Sequence, residues 1–378
     1  MQPQQFILNT PTKSRIAVAM SGGVDSSVAA ALLRQEGYDI FGLTMRLPRS
    51  REFLAESPPP DADDEPMYIQ DARRTAENLG IPLYVMDIRE QFREQIIRYF
   101  CEEYYAGRTP NPCVYCNPTI KFGTLFGYAQ ALGAEGMATG HYVKREYHAA
   151  YRRYVLRAAS NAAKDQSYFL YRLSQEQLAR SLFPLGGMTK EEVRHIARTL
   201  GLQEVAEKSE SQEICFVSDQ SYQQFLDTYF PAGKDLSGNI TNTSGRVLGT
   251  HQGIHLYTIG QRKGLGVALG SPRYVVELNP ETKAVVIGEN QELFSSRFSA
   301  RDLSMMALER LSAPLNCQVK IRYRNAATPA TVLPGETPEE AIVILEQPQR
   351  AVTPGQSAVF YDGDIVLGGG IIERARIS

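Results

Sequence analysis

At 378 residues the chain is long enough for two or three domains, each with its own core. Its 43% hydrophobic and 22% charged residues are ordinary for a soluble globular protein, and a formal net charge of -2 excludes a wholly basic nucleic-acid binder. No apolar run approaches bilayer length, and the start MQPQQFILNTPTKSR lacks a basic opening followed by a long apolar core, so a cytoplasmic protein without membrane association is expected.

The first predicted element is a buried strand over residues 15–20, a short β-branched apolar run. It leads into Ser21-Gly-Gly-Val-Asp-Ser-Ser27, then a helix over 28–33 and a second strand over 39–44. Strand, loop, helix and strand make a βαβ unit. Residues 48–66, with Pro58, Pro59 and Pro60, read as an inserted loop. Alternation then resumes: helix 67–79, strand 82–87, helix 91–105, helix 121–132 and strand 136–139. That texture predicts an open parallel sheet with helices on both faces.

From about Ser209 the composition shifts to Gly, Thr and Ser with short strand-like runs and one helix over 222–229. Beyond Arg273, strands are predicted at 274–278, 284–287, 318–323, 341–345, 357–360 and 365–372, the pattern of a small antiparallel barrel.

The 21–27 run carries the first chemical signal. Its glycines let a phosphate approach the backbone, and the amides and dipole of the following helix favour an anion. The hydroxyls of Ser21, Ser26 and Ser27 add donors, and Asp25 is placed either to position Mg²⁺ or to cap the helix. No Gly-Lys-Ser/Thr ending is present, so this is not a Walker loop. The bland alternative is a glycine-rich turn with a Ser/Asp cap. The loop resembles the PP-loop of ATP pyrophosphatases, which cut ATP between the α- and β-phosphates.

The five cysteines are Cys101, Cys113, Cys116, Cys215 and Cys317. An odd number in such a chain is no disulfide framework. Cys113 and Cys116 lie two residues apart in Gly107-Arg-Thr-Pro-Asn-Pro-Cys-Val-Tyr-Cys-Asn117, where a turn or helix start can lower a thiol pKa. Half a zinc site, a redox pair, and catalytic or cluster ligands acting with the distant Cys215 all remain open on spacing alone. Cys101 and Cys317 read as core residues. His148, His195, His251 and His255 show no metal-ligand spacing with the cysteines. Gln261-Arg262-Lys263 reads equally as a solvated loop or a phosphate contact.

The phosphate loop is followed in order by Arg108-Thr-Pro-Asn-Pro112 with Cys116-Asn117, Ala138-Thr-Gly-His-Tyr142, Lys164-Asp-Gln-Ser-Tyr-Phe-Leu170, Glu213-Ile-Cys-Phe216 and Tyr257-Thr-Ile-Gly-Gln-Arg-Lys-Gly-Leu-Gly266. This set resembles the bacterial tRNA-specific 2-thiouridylases from Ile16 to Ser357. The resemblance implies an adenine nucleotide alpha hydrolase-like PP-loop domain over 1–208, a central tRNA-binding domain over 209–272 and a C-terminal β-barrel over 273–378. It implies ATP at Ala19, Met20, Ser21, Gly22, Gly23, Val24, Asp25 and Ser26, with Met45 and Gly140 near the adenosine, and Mg²⁺ as companion ion.

Cys116 and Cys215 match the catalytic cysteines, Cys215 carrying a persulfide. Asn111, Pro112 and Cys113 match the target-base loop. His141, Lys164, Asp165, Gln166, Arg322, Tyr323 and Gln356 match tRNA contacts. The implied partners are tRNA and a sulfur-donor protein, a cysteine desulfurase or relay protein, and the expected state is a monomer. Many relatives carry Asp at the place of Cys113. Its presence leaves two sulfur carriers in play, a persulfide or a [4Fe–4S] cluster held by Cys113, Cys116 and Cys215. An amide-forming PP-loop synthetase would leave the three cysteines without a use. A non-catalytic RNA-binding protein with a vestigial nucleotide loop would not require the intact Ser-Gly-Gly-Val-Asp-Ser-Ser run.

Overall fold

The computed structural model describes residues 14–48, 65–207, 214–217, 221–229, 235–267 and 270–374. The expected loop at 48–66 falls almost wholly outside these residues, as do Glu213 and the boundary at 208–209. Two compact units are present. The first runs through Gln95 and takes in Cys113–Ser218 and Asp364–Val366; the second takes in Ile96–Pro112, Asp219–Gly363 and the chain from Leu367.

The first unit is built on β1 (Arg15–Ala19), α1 (Val24–Gln35), β2 (Asp39–Arg46), α2 (Met67–Leu79) and β3 (Leu83–Asp87). After α3 (Arg89–Phe92) the chain enters a π-helical turn over Arg93–Ile97 and then α4 (Arg98–Tyr105), which belongs to the second unit. It returns through α5 (Pro112–Cys116), a π-helical segment Asn117–Leu125, α6 (Phe126–Ala131) and β4 (Gly136–Ala138). The hairpin β5 (Lys144–His148) and β6 (Arg153–Arg157) follows, then α7 (Gln175–Ala179), β7 (Ser181–Leu182), α8 (Lys190–Thr199) and α9 (Gln203–Glu207).

Five of these strands form a parallel sheet in the order β3-β2-β1-β4-β7. Ile16, Ala17 and Val18 of β1 are fully buried, as a strand covered on both faces requires. One face of α1 packs Ala30, Ala31 and Leu33 with Ile16 and Val18. Its other face packs Val28 and Ala29 with Val193 and Ala197 of α8 and Val205 and Ala206 of α9. The chain leaves β1 toward β2 on one side and reaches β4 on the other. The carboxyl ends of β1 and β4 therefore flank a topological switch point, where open α/β sheets bind ligands.

In the second unit α4 packs on α10 (Tyr222–Tyr229), with Phe100 edge-on to Phe225 at 6.1 Å and Tyr104 stacked on Tyr222 at 5.3 Å. A four-stranded sheet in the order β10-β11-β8-β9 joins β8 (Gly238–Asn242) and β9 (Val247–His251) to β10 (Tyr274–Asn279) and β11 (Ala284–Gly288). The pairing of β11 with β8 places residues on both sides of 272 in one sheet. The remaining strands are β12 (Phe294–Met305), β13 (Leu315–Lys320), β14 (Thr328–Pro334), β15 (Ala341–Arg350), β16 (Ser357–Asp362) and β17 (Ile365–Arg374). They run in the order β12-β15-β14-β13-β16-β17 and close where β12 pairs β17, so the antiparallel barrel has no free edge.

Three expectations on element limits change. The strand expected at 318–323 spans Leu315–Lys320, so Arg322 and Tyr323 lie in the turn beyond it. The helix expected at 121–132 starts nine residues earlier, at Pro112, because Pro is well tolerated in a first helical turn. Strands β12 and β14 were not anticipated; Arg297, Arg301 and Asp302 break the apolar run in the sequence of β12, and Pro329 and Pro334 do so in β14, although both strands are continuous.

Candidate active site

The loop after β1 is shaped by its first glycine. Gly22 has φ +72°, and a Cβ there would lie 2.1 Å from the Tyr68 carbonyl oxygen. Gly23 differs: a Cβ on it would meet only Ser21 Oγ at 3.5 Å, so its open side faces no protein backbone. Ser21 N–H donates to Ser26 Oγ at 3.1 Å, and Ser26 Oγ donates to Gly23 O at 3.1 Å. Ser27, expected as a phosphate donor, is fully buried and donates to Gly23 O at 3.0 Å, with Thr75 Oγ1 at 3.3 Å. Its hydroxyl belongs to the fold. The first-turn amides of α1 remain for an anion, since no helix carbonyl precedes them.

Asp25 neither caps α1 nor stands free for a cation. The N-cap is Gly23, with no side-chain hydrogen bond. Lys190 Nζ donates to both Asp25 carboxylate oxygens at 2.7 and 2.9 Å, and Tyr142 OH donates to Oδ1 at 2.7 Å. Met45 is held through its main chain, its carbonyl accepting from Tyr68 OH at 3.0 Å. A Cβ on Gly140 would come within 2.7 Å of Ser26 N, so only glycine lets the end of β4 approach the first turn of α1 this closely.

The cysteine motif is helical rather than looped. Cys113 and Cys116 sit on α5, and the π-helical segment begins at the next residue. A π ladder bonds residue i to i+5, so it turns Lys121 onto the Cys116 side, where an α-helix would rotate it away. Lys121 Nζ lies 3.4 Å from His141 Nε2, and Thr139 Oγ1 lies 2.7 Å from His141 Nδ1. An ammonium can only donate, so Nε2 accepts, and the neutral imidazole carries its proton on Nδ1 and donates to Thr139. Burial, with Lys121 adding to it, holds the His141 pKa well below the ordinary imidazole value.

Cys215, about a hundred residues downstream, is brought to the same place. Its thiol interacts electrostatically with Cys116 and Cys113, and Lys121 acts on all three thiols. Cys116 is buried, while Cys113 and Cys215 keep contact with solvent. Desolvation pushes Cys116 and Cys215 up to about 12 and raises Cys113, with Lys121 opposing it in each case. The lowering expected from a helix start does not prevail, because loss of water outweighs one partial charge.

The expected tRNA contacts divide in two. Asp165 is buried and accepts from Ala159 N at 3.1 Å, Ser167 N at 3.2 Å and Ser167 Oγ at 2.8 Å. Gln166 Oε1 accepts from Tyr142 N at 2.9 Å. Both therefore tie down their own loop, while Lys164 is half-buried. Asn117 joins that loop to the cysteine helix, its Nδ2 donating to Phe169 O at 3.0 Å.

In the second unit, Gln356 Nε2 donates to Thr109 O at 2.8 Å and Thr109 N–H to Pro354 O at 2.8 Å, holding the Arg-Thr-Pro-Asn-Pro run that carries Asn111 and Pro112. Arg322 Nη2 donates to Ala351 O at 2.8 Å and Thr353 Oγ1 at 2.7 Å; Tyr323 is half-buried beside it in sequence.

Lys121, Lys190 and Asn117 were not identified from sequence. Thr189-x-x-Glu192 is a capping box, so a lysine at the first position of a helix was the one legible oddity. The π register behind Lys121 leaves no such mark. Among the described residues, no group of three or more His, Cys, Asp or Glu could hold a metal ion, and no helix is long and apolar enough to cross a membrane.

Three family sequence models match. Residues 14–219 match the tRNA methyl transferase HUP domain, 223–289 the tRNA methyl transferase PRC-barrel domain and 295–372 the aminomethyltransferase beta-barrel domain. The chain is similar to the tRNA-specific 2-thiouridylase MnmA of Solibacter usitatus, 48% identical over 367 residues, covering 95% of this chain and 99% of that one. It is similar to the protein of that name from Acidobacterium capsulatum, 46% identical over 372 residues, with 94% and 98% covered. A third, from Heliobacterium modesticaldum, is 47% identical over 363 residues, with 96% and 93% covered.

Proposed function

The chain belongs to the tRNA-specific 2-thiouridylase family, and on that footing we propose how its residues put sulfur in place of the C2 oxygen of a tRNA wobble uridine. It is an ATP-dependent tRNA sulfurtransferase. The uridine O2 attacks the α-phosphorus of ATP held at residues 19–26, pyrophosphate leaves, and N3 gives up its proton. The amides at the start of α1 stabilise the charge that develops on the phosphates.

The terminal sulfur of a persulfide on Cys215 then attacks C2, and AMP departs with the former uridine oxygen. The Cys116 thiolate attacks Cys215 Sγ. The bond from Cys215 to the transferred sulfur breaks, 2-thiouridine leaves and regains a proton at N3, and Cys116 and Cys215 are joined as a disulfide. A thiol reductant restores the two thiols, and a sulfur-donor protein reloads Cys215. Flipping an anticodon-loop base out of its stack to meet these sulfurs costs about a few kcal/mol, least where the base is already single-stranded.

One observation carries this reading. Cys215 interacts electrostatically with Cys116 and with Lys121, whose partner His141 follows Gly140, and Gly140 abuts the phosphate loop at Asp25 and Ser26.

Mg²⁺ does not fit Asp25 as a ligand, because that carboxylate is already paired with Lys190. The cluster alternative would use Cys113, Cys116 and Cys215, and would supply an open iron that carries sulfide. The nearness of Cys113 to the other two favours keeping that reading, although the three thiols are not drawn together as ligands.

The test supplies unmodified tRNA, ATP and a persulfide donor, and follows pyrophosphate, AMP and 2-thiouridine. Cys215→Ser should release pyrophosphate but lose both AMP and 2-thiouridine, whereas Cys116→Ser should release AMP and lose 2-thiouridine. Undiminished thiolation by Cys215→Ser would remove the persulfide step. Iron and acid-labile sulfide in protein purified without oxygen, matched by oxygen-sensitive activity, would move the assignment to the cluster.

A further inference from the structure

We infer that Lys190 is a positioning residue of the nucleotide site, and that it neutralises Asp25 so that the phosphate loop accepts ATP instead of repelling it. The inference rests on the ATP-binding role just given to residues 19–26.

The placement of Lys190 is unusual in two respects. It is 6% exposed, in a class of side chain rarely buried without a partner. It is also the first residue of α8, where the helix dipole disfavours a cation. The helix start itself is pinned by a reciprocal box: Glu192 N–H donates to Thr189 Oγ1 at 3.2 Å, and Thr189 N–H donates to Glu192 Oε2 at 2.7 Å. A strained position this well supported points to a task.

The task is visible in the contacts. The ammonium reaches both oxygens of Asp25, in the first turn of α1, and stands 5.8 Å from the Tyr142 ring centroid, whose hydroxyl binds the same carboxylate. Packing of Val193 and Ala197 of α8 with Val28 and Ala29 of α1 keeps the two helix starts together. Left alone, the Asp25 carboxylate would lie in the turn that receives the triphosphate and would cancel the positive end of α1. With Lys190 across from it, the local charge is balanced and the amides of α1 face the anion. Gly140 packs on the same turn, so an unbalanced Asp25 would also disturb the end of β4.

The test measures equilibrium binding of a non-hydrolysable ATP analogue to the full-length protein, without tRNA or sulfur donor, at several Mg²⁺ concentrations. Lys190→Met should weaken binding at least tenfold. The double variant Lys190→Met/Asp25→Asn, which removes both charges, should recover most of that loss, and Lys190→Arg should bind within about threefold of wild type. The Mg²⁺ concentration for half-maximal binding should be the same in Asp25→Asn and wild type.

Melting temperatures separate folding from binding, and the double variant keeps the test open if Lys190→Met does not fold. Unchanged affinity in Lys190→Met, a double variant as weak as a folded Lys190→Met, or a raised Mg²⁺ requirement in Asp25→Asn would each overturn the inference. Failure of the wild type to bind the analogue would instead remove the ATP reading on which it rests.

Discussion

Lys121 Nζ stands 3.4 Å from the Nε2 atom of His141, and this contact ties the cysteine helix to the strand end beside the phosphate loop. Because His141 is neutral, Lys121 spends none of its charge there and stays available to the sulfur atoms. Lys121→Met should lower 2-thiouridine formation by about tenfold or more, the effect of one pKa unit on the thiolate fraction. Pyrophosphate release, which occurs at the other end of the site, should change far less. Comparing the two rates in one preparation decides it. Equal losses in both would mean that Lys121 supports the fold and not the sulfur.

The thiol environment sets a pH dependence. Only the thiolate reacts, and desolvation raises Cys116 and Cys215 to about 12. The reactive form is scarce at neutral pH and increases about tenfold per unit as pH rises toward that value. Peptide-resolved alkylation of the persulfide-free protein should therefore accelerate without a plateau from pH 7 to 10 at both residues. A plateau below pH 9 would contradict this, and would mean that Lys121 outweighs burial.

Two adjacent glycines should behave differently. Gly22→Ala places a Cβ against the Tyr68 carbonyl at a positive φ, so it should unfold the loop and lower the melting temperature by several degrees. Gly23→Ala meets no backbone, so it should melt near wild type. Its new methyl would stand on the open side of the loop and should weaken ATP binding by about tenfold or more, as an unfilled approach path to phosphate demands. Calorimetry and ATP titration on both variants check the contrast.

Asp165→Ala should act on stability. It strands the Ala159 and Ser167 amides and the Ser167 hydroxyl, which all donate to this buried carboxylate. Each unsatisfied donor costs about 1–3 kcal/mol, so the melting temperature should drop by several degrees. tRNA affinity measured well below that temperature should hold within a few-fold. A large loss of affinity with unchanged melting would restore Asp165 as a direct tRNA contact.

Much of the site was legible because its signals are local. Ser21–Ser27 announces itself between a strand and a helix, since phosphate binding needs small residues and free amides in one short stretch. Cys113 and Cys116 are similarly marked by spacing. Asp25 shows where local reading stops. A carboxylate in a helix start suggests a cap or a metal, and only the arrival of Lys190, 165 residues later, shows that it is neutralised. Ser27 and Asp165 show the same limit: a polar side chain reads as available until its partners in the fold are known.

Residue types and their short-range spacing determined the βαβ start, the phosphate loop, the cysteine pair and the strand-rich C-terminal half, because each depends on neighbours a few positions away. Tertiary structure alone decided that Cys215 joins Cys113 and Cys116, that Lys121 and His141 stand beside them, and that Asp25 belongs to Lys190. Those pairings depend on the strand order that sends the chain from β3 back across β1 to β4, and on a π-helical register after Cys116. Burial then set which protons the side chains keep, and burial is a property of the packed whole.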